Sequence, residues 1–360
     1  MTNRFGVGLL SLFFLTGCVQ KEILDDIAIE IARGYDWKEE DKIEGTMLVY
    51  NFQPDKSIKN TTLTTTASTS RELVNYLQEQ SPEPLSEGSL EVFLFGKKLA
   101  NEGLIDYLDA PIRNASIGAR LFLVVVDGNA KELLNGNYGN RGNAIFISNL
   151  LLHNIKYENL PKTNLQLFFR DYYEVGKTGF LPQIKKIDDN KLELNGISFF
   201  KTDKIRVIDT LETEKMFYFK LLVDKFSEGS HIVERDADKA VIRSISSRHK
   251  MKITKRDPYT VTVHIKIRGI IREYTGPGTL TKKVITKYEK ALEEEVTKEC
   301  EALIKRFQEQ EIDPVGLGFF IQTRTRGLHL KKDWEESDMY KNLTVKVVTD
   351  VKVLESGVIE

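Results

Sequence analysis

The chain has 360 residues, and its 52 Lys and Arg nearly cancel its 53 Asp and Glu, leaving a formal net charge of -1. That balance does not suit a protein whose main partner is a phosphate backbone, so nucleic acid is not an expected ligand. Hydrophobic residues at 41% exclude wholesale disorder, and two cysteines, Cys18 and Cys300, exclude a disulfide scaffold or a Cys-rich zinc module.

The N-terminus reads as a secretory signal over residues 1–17: a positive start at Arg4, an apolar run from Phe5 to Leu15, then small residues. The run is too short to span a bilayer, which takes about 20 residues. Leu15-Thr16-Gly17-Cys18 is similar to the bacterial lipobox, in which the signal is cut before the cysteine and the cysteine is acylated on sulfur and nitrogen. Several acyl chains anchor firmly where one holds only marginally. Lipidation at Cys18 leaves Cys300 without a disulfide partner. Cys300 shares one helix face with Leu292, Val296, Leu303 and Phe307, as a small buried hydrophobe does. The expected product is a body tethered to the outer face of a membrane.

Residues 21–34 have mixed helical and extended periodicity. Ile43 to Phe52 alternates as a strand, and Pro54 and Asp55 turn the chain. The Thr-rich tract from Asn60 favours a strand. It ends in Thr69-Ser70-Arg71-Glu72, a capping box that starts a helix carrying Leu73, Val74 and Leu77. Strands are predicted at Leu90–Phe95 and Leu121–Val126, with a helix at Lys98–Leu108 between them. A stretch rich in Gly and Asn from Asn135 to Asn143 marks a boundary. Helices follow near Ile145–Ile155 and Asn164–Tyr173, and Asn195-Gly196 predicts a hairpin turn. Glu212 to Lys225 is helical. Ala240–Ile253 and Tyr259–Arg272 are long strands joined by Arg256-Asp257-Pro258. The longest helix runs over 280–310, and Leu343–Leu354 is a terminal strand. The expected fold class is mixed α/β (α+β): mostly antiparallel or mixed sheets packed with helices. About three domains are expected, over 18–135, 136–203 and 204–360.

The chain offers no catalytic constellation. Gly176-Lys177-Thr178 resembles the end of a phosphate loop, but Asp171 stands where the first glycine is required. His153, His231, His249, His264 and His329 are isolated, and the carboxylate pairs Asp25-Asp26 and Asp188-Asp189 sit beside turns or charges. No catalytic, cofactor or metal residue is therefore assigned. One charge feature stands out: between Lys239 and Arg272, Asp257 is the sole acid among ten cations. Arg248, Lys250, Lys252, Lys266 and Arg268 are the expected basic face of that strand pair. Such a face would either meet anionic lipid headgroups or be solvated and offset by the acidic helix carrying Glu289, Glu293, Glu294, Glu295, Glu299 and Glu301.

Together these segments resemble the Ger(x)C lipoproteins, the C subunits of spore nutrient-germinant receptors. After the lipobox, Lys21-Glu22-Ile23-Leu24-Asp25-Asp26-Ile27-Ala28 looks like that family's opening, and Gly34-Tyr35-Asp36 like its Gly-Ile-Asp. Glu91 to Gly103, Leu123 to Ala130, Leu194 to Lys201 and Asp313-Pro314-Val315-Gly316-Leu317-Gly318 are similar to further family segments in the same order. Trp334 and the alternating Val345-Lys346-Val347 end complete the pattern. Val19 stands where the family commonly has Trp. The resemblance implies a non-catalytic scaffold or coupling subunit on the outer surface of the spore inner membrane. It also implies membrane-embedded A and B subunits as partners, and names no small molecule bound by this subunit itself. Two other readings share the anchor: a solute-binding lipoprotein of a transporter, which needs two similar lobes, and a surface-anchored hydrolase.

Overall fold

The computed structural model describes residues 27–52, 58–201, 203–225, 227–235 and 238–354. The chain opens with β1 (Ala28–Glu39), β2 (Lys42–Phe52) and β3 (Ile58–Ala67), an antiparallel trio. The Thr-rich tract is thus a strand, because Thr is stiff at χ1 and fits a pleated surface. Next comes α1 (Ser70–Gln80), started as the capping box predicts. Thr69 Oγ1 accepts from Glu72 N–H at 3.1 Å, and Glu72 Oε2 accepts from Ser68 N–H at 3.0 Å.

β4 (Leu85–Ser86) and β5 (Val92–Gly96) pair parallel to β1. The predicted single helix at 98–108 is instead two, α2 (Lys97–Glu102) and α3 (Ile105–Arg113). Gly103 breaks it at φ 139°, where an added Cβ would lie 2.9 Å from the Lys204 carbonyl oxygen. That carbonyl accepts from Leu104 N–H at 3.0 Å. β6 (Phe122–Val126), α4 (Ala130–Leu134), α5 (Asn143–Tyr157), α6 (Leu165–Tyr173), β7 (Phe180–Asp188), β8 (Lys191–Lys201) and β9 (Arg206–Leu211) follow. They extend one nine-stranded sheet in the order β3-β2-β1-β5-β6-β7-β8-β9, with β4 beside β1. The expected hairpin at Asn195-Gly196 is not a turn. β8 runs through it, and the register shifts between Gln183 and Ile184 opposite. Gly196 takes φ 156°, and a Cβ there would meet the Leu211 carbonyl at 2.5 Å. The same residue pair that makes a turn here makes a bulge.

β5 and β6 are continuous apolar runs because both faces of this sheet are covered. Val92, Leu94, Val124 and Val126 face one core, and Phe93, Phe95, Leu123 and Val125 face another. The first core continues through α7 (Thr213–Val223) into a second sheet of β10 (Ser227–Arg235), β11 (Asp238–Arg256), β12 (Tyr259–Tyr274) and β13 (Thr344–Val353). Between β12 and β13 lie α8 (Lys282–Glu309), α9 (Leu317–Arg324) and α10 (Asp338–Lys341). The α8 stripe of Tyr288, Leu292, Val296, Cys300, Leu303 and Phe307 is buried as predicted. Phe199 of β8 meets Phe219 of α7 at 5.1 Å and Phe307 of α8 at 5.0 Å, both edge to face, which joins the two sheets.

The segments that resemble those of the Ger(x)C lipoproteins are joints of this fold. Asp36 accepts from the N–H groups of Ala130 and Lys131 at 2.8 and 2.9 Å, capping the start of α4. A Cβ on Gly34 would lie 2.9 Å from Ala130 Cβ, and one on Gly96 would collide with Asp36 Oδ1 at 2.1 Å. Asp313 is fully buried and accepts from Gly316, Leu317 and Gly318 N–H and from the Trp334 indole at 2.7 to 3.2 Å. The phosphate-loop fragment Gly176-Lys177-Thr178 clasps this turn. Thr178 Oγ1 accepts from Asp313 N–H at 2.8 Å, and Phe319 N–H donates to Gly176 O at 3.0 Å.

β13 is an edge strand, parallel to β12, and its outer N–H groups are met by the acidic helix. Glu289, Glu293 and Glu301 accept from Val353, Val351 and Val347 N–H, each at 2.9 Å, and Thr297 pairs with Thr349 at 2.9 Å. Four residues of helix rise about 6 Å and two of strand about 6.6 Å, so the ladder stays in step.

Glu293→Ala strips the Val351 N–H of its acceptor and is expected to lower stability by about 1–2 kcal/mol. Glu293→Gln, which still accepts through its carbonyl, should lose less; equal losses in urea unfolding would show that the edge hydrogen bond contributes nothing. A second expectation concerns pH. Burial pushes the Asp313 carboxyl up to about 6, against the pull of its four N–H donors, and pushes Glu335 beside it from 4.5 up to about 7. Both groups hold protons in the folded chain at pH values where the unfolded chain has released them. Their contribution to stability therefore falls as pH rises from about 4 to 7. Glu335→Gln should flatten that fall in urea midpoints measured across the window, and an unchanged slope would overturn the assignment.

Candidate functional surface

The four-stranded sheet has α8 on one face. Val261, Val263, Ile265 and Ile267 of β12 and Val347 and Val351 of β13 point inward and are buried. The residues between them point outward, because strand side chains alternate. Register then fixes the rows across the outer face: Ser246–Arg268–Lys352, Arg248–Lys266–Asp350, Lys250–His264–Val348 and Lys252–Thr262–Lys346.

All five basic residues predicted from the sequence, Arg248, Lys250, Lys252, Lys266 and Arg268, are exposed on this one face. Two that the sequence reading did not include, Lys346 and Lys352, join them from β13. Their signal was the alternation of the last strand; what it did not tell was that this strand lies parallel to β12. Asp350 is the sole acid in the four rows, 3.7 Å from Lys266. Among the described residues the other six cations have no ion pair. Ser246, Arg248, Lys266, Arg268, Asp350 and Lys352 line a groove of about 280 Å³ at one end.

Among the described residues, no glutamate of the acidic helix forms an ion pair with this face. Three of its glutamates hold the β13 edge. Glu299 pairs with Lys215 at 2.5 Å, and Glu295 accepts from Tyr218 at 2.6 Å and lies 3.0 Å from His231 Nε2. Burial works to raise the Glu295 carboxyl, but its two hydrogen bonds outweigh that and hold it below the ordinary range.

In this Tyr218–His231–Glu295 cluster a histidine that looked isolated in the sequence finds two partners, with Phe217 stacked on it at 4.7 Å. It ties α7, β10 and α8 by using its polar atoms on one another. Lys220 is likewise spent within the fold. Its ammonium donates to the carbonyls of Ile155 and Glu158 at 2.8 and 2.6 Å, and burial pulls its pKa down to about 8. Cys300 is buried and donates to Tyr218 O at 3.6 Å, and burial pushes its thiol far up, the reverse of a reactive cysteine. Asp188 and Asp189 flank the β7–β8 turn, where Asp189 meets Lys186 at 2.7 Å. Asp25, Asp26 and Cys18 lie outside the described residues. Among those described, no group of His, Cys, Asp and Glu is arranged to hold a metal ion.

Comparison with known proteins agrees with the motif order. Residues 20–186 match the family described as "Spore germination protein N-terminal domain", and residues 195–357 match "Spore germination B3/ GerAC like, C-terminal". Spore germination protein GerQC of Bacillus cereus is 33% identical over 365 residues, covering 99% of this chain and 100% of the relative. The crystal structure of the GerBC protein superposes with a TM-score of 0.57 at 16% identity, over 91% of this chain and 98% of that one, and so shares the fold. The chain belongs to the GerAC-like, or Ger(x)C, family of spore germination proteins, the family of germinant-receptor C subunits.

Proposed function

We propose that this chain is the lipid-anchored C subunit of a nutrient germinant receptor. It is non-catalytic and couples membrane-embedded A and B subunits through its surfaces, on the outer face of the spore inner membrane. The observation that carries this reading is the lipobox Leu15-Thr16-Gly17-Cys18 placed ahead of a family match that spans almost all of the remaining chain. An acylated Cys18 is separated from β1 by residues 19–27, a leash of roughly 30 Å at full stretch. No helix among the described residues is long and apolar enough to cross a membrane. The polar clusters of the interior are consumed in joints between elements, and the most exposed chemistry is the cationic sheet face. Both features suit a part that works by contact.

In sporulating cells, Cys18→Ala should move the protein from the membrane fraction to the soluble one; retention on the membrane would refute the anchor. Affinity purification of the wild-type chain from detergent-solubilised spore membranes should bring down membrane-embedded A and B subunits. Deletion should abolish or slow germination with at least one nutrient. An unchanged response to every nutrient, with an uptake defect instead, would favour the transporter reading.

A further inference from the structure

We propose that the outer face of the four-stranded sheet is a docking surface for anionic phospholipid headgroups, contacting them through Arg248, Lys250, Lys252, Lys266, Arg268 and Lys352. The inference rests on the anchored reading for the identity of the membrane, and on the sheet alone for the chemistry.

Three observations lead to it. The first is charge. The four rows carry seven cations and one carboxylate, although the whole chain is at -1. A solvated face of a near-neutral protein usually intersperses both signs. Here three of the α8 glutamates are bound to the β13 edge, one to Lys215 and one to Tyr218 and His231, and none of the six pairs with a cation of the four rows.

The second is shape. The cations sit on three adjacent strands about 4.8 Å apart, on every second residue, so they form a two-dimensional array with a groove of about 280 Å³ at one end. A folded acidic partner must match each of those positions with a fixed carboxylate. Headgroups diffuse in their plane and can gather under whichever cations are presented, so an array of flexible Lys and Arg fits them without a dedicated complement.

The third is the placement of apolar side chains within the array. Val348 lies in the row between Lys250 and the sheet edge and is 48% exposed. Leu354, also 48% exposed, continues the same alternation just beyond β13. Cations around a few exposed aliphatic side chains make a surface that lies on the headgroup region and lets the apolar tips reach the acyl boundary.

The test uses residues 19–360, which contain every described element and cannot be acylated, so that failure of the anchor does not affect the result. Flotation with phosphatidylcholine vesicles holding about 30% phosphatidylglycerol should show binding that pure phosphatidylcholine does not. The binding should weaken at least about tenfold in high salt, since screening shortens from roughly 10 Å at 0.1 M to 3 Å at 1 M. The triple variant Lys250→Glu, Lys266→Glu, Arg268→Glu should lose at least about tenfold in affinity, with thermal unfolding checked alongside. Lys282→Glu, Lys283→Glu, Lys290→Glu on α8 changes net charge equally and should bind as the wild type does. If the reversal variant fails to fold, Gln at the same three sheet positions should still weaken binding severalfold. Absence of binding to the anionic vesicles, or equal loss in both triple variants, would overturn the proposal. So would a sheet variant that binds vesicles normally but no longer co-purifies with the membrane subunits, which would make the face a protein interface.

Discussion

The hydrogen-bond ladder between α8 and the free edge of β13 is the constraint from which the C-terminal architecture follows. β12 and β13 are parallel, so the chain must cross over between them, and α8 is the main part of that crossover. One helix covers one face. The inner face therefore receives the buried stripe of α8, and among the described residues nothing covers the outer face. Because the glutamates reach past the sheet to its last strand, the edge that would otherwise invite another chain is closed. The same reach commits those three carboxylates to the strand edge, and none of them pairs with a cation of the outer face. A closed edge and an uncompensated cationic face are two results of one arrangement.

The other constraint is the junction of the two sheets. Phe199, Phe219 and Phe307 fill it with edge-to-face contacts, and Asp313 fixes its rim. A buried carboxylate is costly to desolvate, and it persists here because four N–H groups converge on it. The glycines around it belong to the same solution. A Cβ on Gly318 would strike the Trp334 indole at 2.4 Å, and one on Gly176 would strike Phe319 N at 2.5 Å. The motif that made 313–318 look like part of a family is thus a packing rule. It explains why Gly176-Lys177-Thr178 has the composition of a phosphate loop without its function: its backbone is engaged by the turn it clasps.

Much of the fold was legible because its signals are local. The capping box at Thr69–Glu72, the uninterrupted apolar β5 and β6, the alternation of β11 to β13 and the stripe of α8 each depend on nearest neighbours in one element. What was not legible depends on partners distant in sequence. Asn195-Gly196 has the composition of a hairpin turn, and only the approach of the Leu211 carbonyl makes it a bulge. Gly103 breaks a plausible helix because of Lys204 on another segment. The acidic run of α8 looked like a solvated counterweight, since nothing in its spacing shows that a strand edge runs alongside. Five of the seven cations of the candidate surface could be read from two adjacent strands. Lys346 and Lys352 could not, because the parallel register of β13 is a tertiary fact.

A tether and a cationic face would divide the work of membrane attachment unequally. Under the proposed anchoring, acyl chains at Cys18 would supply affinity but would not by themselves set the orientation of the body, which begins at β1 after a leash of nine residues, 19–27. A face held within that leash of the bilayer sees headgroups at an effective concentration set by the leash and not by solution, so even weak contacts are occupied. Its contribution is then orientation. With the outer sheet face down, the opposite side of that sheet, carrying α8 and the aromatic junction, is turned away from the bilayer, and the nine-stranded sheet is held at a fixed angle to it. For a subunit that acts by contact, a fixed angle decides which surfaces can meet membrane-embedded partners. A face that is solvated and idle would leave that choice to the leash.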